Sequence, residues 1–185
     1  MTKFYFGLLI LLILTETNCS LLIGNIKPVE EKSKSYGVLN LSKENSDWIK
    51  LSSKTTMDLM SETESPESGI SDVAYQSKKN ASIISMNSAC KSYPQKNKDL
   101  KELARELLLG ISDITPIEER NIIVAHVPAL ETTLKGKIDH EEMAFKTVVL
   151  NRVNCVYDLM YIARPDRFKD HLDDFSRFVS SLRLK

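Results

Sequence analysis

The side chains best suited to chemistry are three cysteines, three histidines and one pair of arginines, and their spacing limits what each group could do. Cys19 directly follows an apolar run, where a thiol has three open fates: lipid attachment, disulfide pairing, or loss with a cleaved leader. Setting it aside leaves Cys90 and Cys155, an even pair in what would be an oxidising compartment. Both fall at the ends of expected strands, so a bridge requires those ends to meet within about 7 Å between Cα atoms. Two buried free thiols are the other reading, and the commoner one for a small apolar side chain. His126, His140 and His171 lie far apart and match no HExxH-type spacing, so no metal site is expected. The run Asp139 to Glu142 reads as a polar hairpin turn rather than a ligand set. Arg164 and Arg167 stand where a helix begins, and its free N–H groups make them a candidate anion contact; solvated arginines are the plainer reading. No G-x-S-x-G, glycine-rich phosphate loop or Cys/His nucleophile pattern occurs, so no catalytic residue and no cofactor are expected.

The N-terminus carries the clearest signal. Lys3 precedes an unbroken apolar stretch from Phe4 to Leu14, which Thr15, Glu16, Thr17 and Asn18 then interrupt. A membrane-spanning helix needs about 20 apolar residues, so a signal peptide over residues 1–18 outranks a permanent transmembrane segment. A cysteine in this place resembles the signal of bacterial lipoproteins, in which the thiol is acylated and becomes the new N-terminus. Such signals usually carry an aliphatic residue three places before the cysteine, where Glu16 stands here. The resemblance implies a membrane anchor at Cys19, with an exported soluble protein as the alternative. Residues 19–44, rich in Lys, Glu, Ser and Asn, lack a core-forming pattern and read as a linker behind the anchor.

Composition narrows the rest. Basic and acidic residues balance at 25 each, and no basic stripe exists to displace counterions from a phosphate backbone, so nucleic acid is not an expected partner. Residues 45–185 suffice for one core and are too few for two. There the hydrophobic period alternates between two and 3.6. Trp48, Ile49 and Leu51, then residues 55–60, read as extended; Asp72–Ser77 and Ser82–Cys90 form an expected hairpin, with Ile84, Met86, Ser88 and Cys90 on one face. Leu100, Leu103, Ala104, Leu107, Leu108 and Ile111 form the stripe of a helix that Asp99 can cap. After Pro116 four strands are expected at 120–127, 129–137, 143–151 and 155–163, with turns at Pro128, Asp139–Glu142 and Asn151–Asn154. The last is apolar on both faces, as a central strand should be. Pro165 and Asp166 open a closing helix whose stripe is Phe168, Leu172, Phe175, Phe178, Val179 and Leu182.

From Trp48 to Arg183 this order, with "VPALETT", "CVYDLMYIA" and "FSRFVSSLR" at its landmarks, resembles the PsbP-like α/β/α sandwich superfamily. One departure is at Ser61 and Glu62, where a proline usually closes the first core strand. The resemblance implies an α+β fold, an antiparallel sheet with helices packed on it, and a binding or structural role, since members act as assembly factors, extrinsic subunits and envelope lipoproteins. The expected protein is therefore a lipid-anchored envelope module that binds a protein partner. A small-ligand-binding domain is the alternative, and an enzyme a more distant one.

Overall fold

The computed structural model describes residues 36–51, 72–90 and 99–184. Cys19, the signal segment 1–18, the linker as far as residue 35 and the expected strand at 55–60 lie outside them. The described chain runs β1 (Tyr36–Gly37), α1 (Leu41–Glu44), β2 (Trp48–Lys50), β3 (Val73–Ser77), β4 (Ile83–Cys90), α2 (Leu100–Leu107), β5 (Ser112–Val124), β6 (Val127–Ile138), β7 (Glu141–Arg152), β8 (Cys155–Ala163), a 3-10 helix (Pro165–His171), α3 (Leu172–Ser180) and β9 (Arg183–Leu184). Seven strands form one antiparallel sheet in the order β2-β3-β4-β8-β7-β6-β5, while β1 pairs with β9 apart from it. This is the expected α+β class.

Strand β8 lies fourth of seven, and its alternation divides the core. Tyr157, Leu159, Tyr161 and Ala163 point to one face, where Ile84, Met86, Val148 and Leu150 meet Phe175, Phe178 and Leu182 of the C-terminal helical segment. On the other face Leu130 and Val149 receive Leu103 and Ala104 of α2. A strand apolar on both sides is stable only when both sides are covered, and helices cover both here.

Four local expectations change. The strand after α2 begins at Ser112, and Pro116 lies within it rather than before it. As the outermost strand, β5 leaves one row of backbone groups unpaired, so a missing N–H costs little there, and register shifts flank the proline. The turn to β6 is Ala125–His126, both at positive φ (50° and 63°), rather than Pro128. Pro128 is already in β6, one residue before pairing with β7 starts at Ala129. The closing helix is also divided: Pro165–His171 is 3-10, and His171 (φ −129°, ψ 20°) breaks the geometry before α3.

The fourth change concerns residues 36–44, assigned to the linker on composition. Their apolar residues are part of the core. Leu41 is fully buried, the Leu39 N–H donates to Ser181 Oγ at 2.8 Å, and Tyr36 sits opposite Leu184 with its ring edge-on to Tyr157. Nine residues are too few to display a period, and their partners lie some 140 positions away. The folded domain therefore includes Tyr36.

Candidate functional site

Where β3 ends, its neighbours and the break between the 3-10 helix and α3 bring five polar or aromatic side chains together. Ser77 Oγ lies 3.1 Å from His171 Nε2, and His171 Nδ1 lies 3.1 Å from Asp174 Oδ2. The same carboxylate accepts from Trp48 Nε1 at 3.0 Å and, on its other oxygen, from Arg177 at 2.5 Å. The Trp48 and His171 rings are 4.7 Å apart. With Asp174 as acceptor, the ring proton belongs on Nδ1, and Nε2 then accepts the Ser77 hydroxyl.

In order and spacing this is a Ser-His-Asp relay, the arrangement that activates a serine toward acyl groups. A nucleophile must also meet its substrate. Ser77 is only 3 % exposed and His171 5 %, the Lys79 N–H occupies Ser77 Oγ at 3.2 Å, and the indole covers the imidazole. The chemistry these contacts support is structural: they join β2, β3 and the start of α3 through groups that satisfy one another. Burial works against ionised Asp174, yet hydrogen bonds from Arg177, Trp48 and His171 outweigh it and hold the carboxyl below its ordinary range. His171 and Asp174 stand three residues apart, yet that spacing matches no motif and was not singled out in the sequence. Nor was Ser77, which completes the group.

A second polar cluster lies within the sheet. Glu131 Oε1 accepts from Arg120 Nε and Nη2, each at 2.6 Å, and is 3.0 Å from Lys146 Nζ. The Glu131 side chain is 10 % exposed and that of Lys146 14 %, so each charge needs the other to be tolerated there.

Cys90 and Cys155 face each other in the β4–β8 ladder, Cα atoms 4.1 Å apart, and form a disulfide. Arg164 is exposed, and Arg167 is already met by Asp166 at 3.4 Å and Asp170 at 4.0 Å. The Arg167 N–H is also used, donating to the Arg164 carbonyl. Among the described residues no group of three His, Cys, Asp or Glu could hold a metal ion, and no helix is long and apolar enough to cross a membrane.

Near the disulfide, a groove of about 760 Å³ opens between the β5–β6 turn, the end of β7 and the end of α3. Its lining combines the apolar Ile123, Ala125 and Val127 with His126, Arg152 and Arg183. Arg152 Nη1 donates to the Leu184 carbonyl at 3.1 Å. Arg183 Nη1 donates to the carbonyls of Ser180 and Leu182 at 2.9 and 3.0 Å, as cations do at helix C-termini. Neither arginine meets a carboxylate among the described residues. Positive charge and open apolar surface converge here, and no sequence motif marked the place.

No family model matches the chain, and no curated protein matches it. Solved structures do. LpqN of Mycobacterium tuberculosis, described as involved in cell envelope biogenesis, is 11 % identical with a TM-score of 0.50, over 87 % of this chain and 87 % of that one. The cyanobacterial PsbP (CyanoP) of Synechocystis sp. PCC 6803 is 12 % identical with a TM-score of 0.49, over 88 % of this chain and 99 % of that one. PA94 of Pseudomonas aeruginosa, a protein of unknown function, is 12 % identical with a TM-score of 0.49, over 60 % and 78 %. At such identity the likeness to LpqN is one of fold.

Proposed function

We propose that a chain sharing its fold with a mycobacterial envelope protein is itself an envelope protein, anchored through an acyl group on Cys19, whose sandwich binds a protein partner and performs no catalysis. The observation that carries the non-catalytic reading is the burial of Ser77 and His171: the relay of catalytic type found among the described residues is enclosed by Trp48. A partner has a surface available in β5, a thirteen-residue outer strand exposed along nearly its whole length, with Ile114, Ile117 and Ile123 outward. Such an edge can accept a strand from another protein, while Pro116 and the register shifts discourage self-pairing. The groove favours a second reading, a site for a small amphipathic anion.

Expression in a bacterium followed by detergent phase separation and mass analysis of the N-terminal peptide tests the anchor. The wild-type chain should enter the detergent phase with acyl mass on Cys19, and Cys19→Ser should leave it. A soluble mature chain without acyl mass would overturn the anchor. Affinity purification from solubilised membranes tests the partner: a stoichiometric protein lost on Ile117→Lys supports the β5 edge, and recovery of the chain alone argues against it.

A further inference from the structure

We infer that the end of the sandwich carrying the disulfide is a docking face for an anionic lipid surface. Four observations place the same properties there. The β7–β8 turn presents Val153, 82 % exposed, and the β5–β6 hairpin presents Ile123, 69 % exposed. Arg152 adjoins Val153, and Arg183 leaves the end of α3, both exposed and without a carboxylate among the described residues. Of the two hairpins at the other end of the sheet, β6–β7 carries Asp139, Glu141 and Glu142, while the lysines of β3–β4 are already engaged, Lys78 with the Ser46 carbonyl and Lys79 with Asp47. Finally, β1, where the chain coming from Cys19 enters the fold, pairs with β9 against Arg183 and Leu184.

Apolar tips ringed by guanidinium groups suit the boundary between phosphate head groups and acyl chains, where arginine binds phosphate oxygens and valine or isoleucine leaves water. Val153 adds a further sign. It holds φ 58°, a left-handed conformation that a β-branched side chain adopts at a cost and that asparagine or glycine would fill more readily. Its side chain, 82 % exposed, is therefore free to meet a surface outside the fold. The inference rests on the membrane anchor proposed above, because an acyl group on Cys19 would bring this end to the bilayer. Residues 20–35, at no more than about 3.5 Å each, reach at most about 60 Å. Docking would hold the β5 edge in a fixed attitude to the membrane.

The test uses the full chain carrying Cys19→Ser, so that no acyl group contributes. Its binding is measured by sedimentation with vesicles of phosphatidylcholine alone and of equimolar phosphatidylcholine and phosphatidylglycerol. Binding should be much tighter to the anionic vesicles and weaken as salt rises. Arg152→Gln with Arg183→Gln should lower it about thirtyfold, the effect of two arginines at a charged surface. Val153→Asn, which suits the turn and so preserves the fold, should lower it severalfold. Lys135→Gln with Lys169→Gln removes equal charge elsewhere and should change it less than twofold.

Equal losses from the two charge pairs, or binding indifferent to phosphatidylglycerol, would overturn the docking face. Full competition by millimolar inorganic phosphate would do the same, assigning the arginines to a soluble anion. Because the vesicle assay needs no acylation, its failure is separable from failure of the Cys19 anchor.

Discussion

Asp174 shows how a largely buried carboxylate is held in its ionised form by the groups around it. Its carboxyl titrates below the ordinary 3.8 because Arg177, Trp48 and His171 hold the ionised form against the cost of burial. A folded-state pKa below the unfolded one means the contribution is complete above the unfolded value and is lost as pH falls through the folded one. Urea unfolding should therefore show stability declining below about pH 4, and Asp174→Asn should flatten that decline while lowering stability at neutral pH. An unchanged acid limb would mean that other carboxylates set it. The Cys90–Cys155 bridge acts on the unfolded chain. It closes a loop of sequence separation 65, for which the chain-entropy account gives about 4 kcal/mol. Reduction should thus cost about 2–4 kcal/mol of unfolding free energy measured in urea, without shifting the sheet signal in circular dichroism under native conditions.

The β5–β6–β7–β8 meander depends on three tight turns and one close approach. A side chain at Gly136 in β6 would meet Ile111 Cγ2 at 2.5 Å and the Ser112 carbonyl at 3.1 Å, so the segment after α2 can lie against β6 only because no Cβ is present. Gly136→Ala should cost about 1–3 kcal/mol by displacing that segment, measured by thermal unfolding. A neutral result would mean the Ile111 side chain swings clear and the backbone gives way at no cost. The turn at Val153 predicts the opposite sign. Asparagine accepts the left-handed conformation, so Val153→Asn should stabilise by about 0.5–1 kcal/mol, and a comparable loss would place the valine in a contact within the fold. The first effect acts between β6 and the segment after α2, and the second within one turn.

For the whole domain, the boundary at Tyr36 makes a direct claim. A chain lacking residues 1–34 should keep its stability, whereas one lacking residues 1–45 should lose at least about 3 kcal/mol, because Leu41 is fully buried and Tyr36 and Leu39 pack beside it. Equal stability of the two would return residues 36–44 to the linker. The sandwich would then have to close without β1, leaving β9 unpaired and the Tyr157 ring without its neighbour.

Whatever repeats locally was legible before the fold was known. Alternation fixed the two faces of β8, the 3.6 period located the stripes of α2 and α3, and Asp99 marked the N-cap it provides. Balanced charge argued against a nucleic-acid partner, and the expectation of a binding module came from the resemblance to the PsbP-like superfamily. Tertiary structure decided everything that depends on separation along the chain. Ser77 meets His171 across 94 positions, Leu39 meets Ser181 across 142, and Glu131 needs both Arg120 and Lys146 from neighbouring strands. It also decided which strand became the exposed edge, since Ser112–Val124 is patterned like an ordinary strand and only the sheet order leaves it with one partner. Periodicity records which side of an element is buried. It carries no information about which distant element does the burying, and the polar clusters, the N-terminal boundary and the cationic end of this sandwich all depend on that pairing.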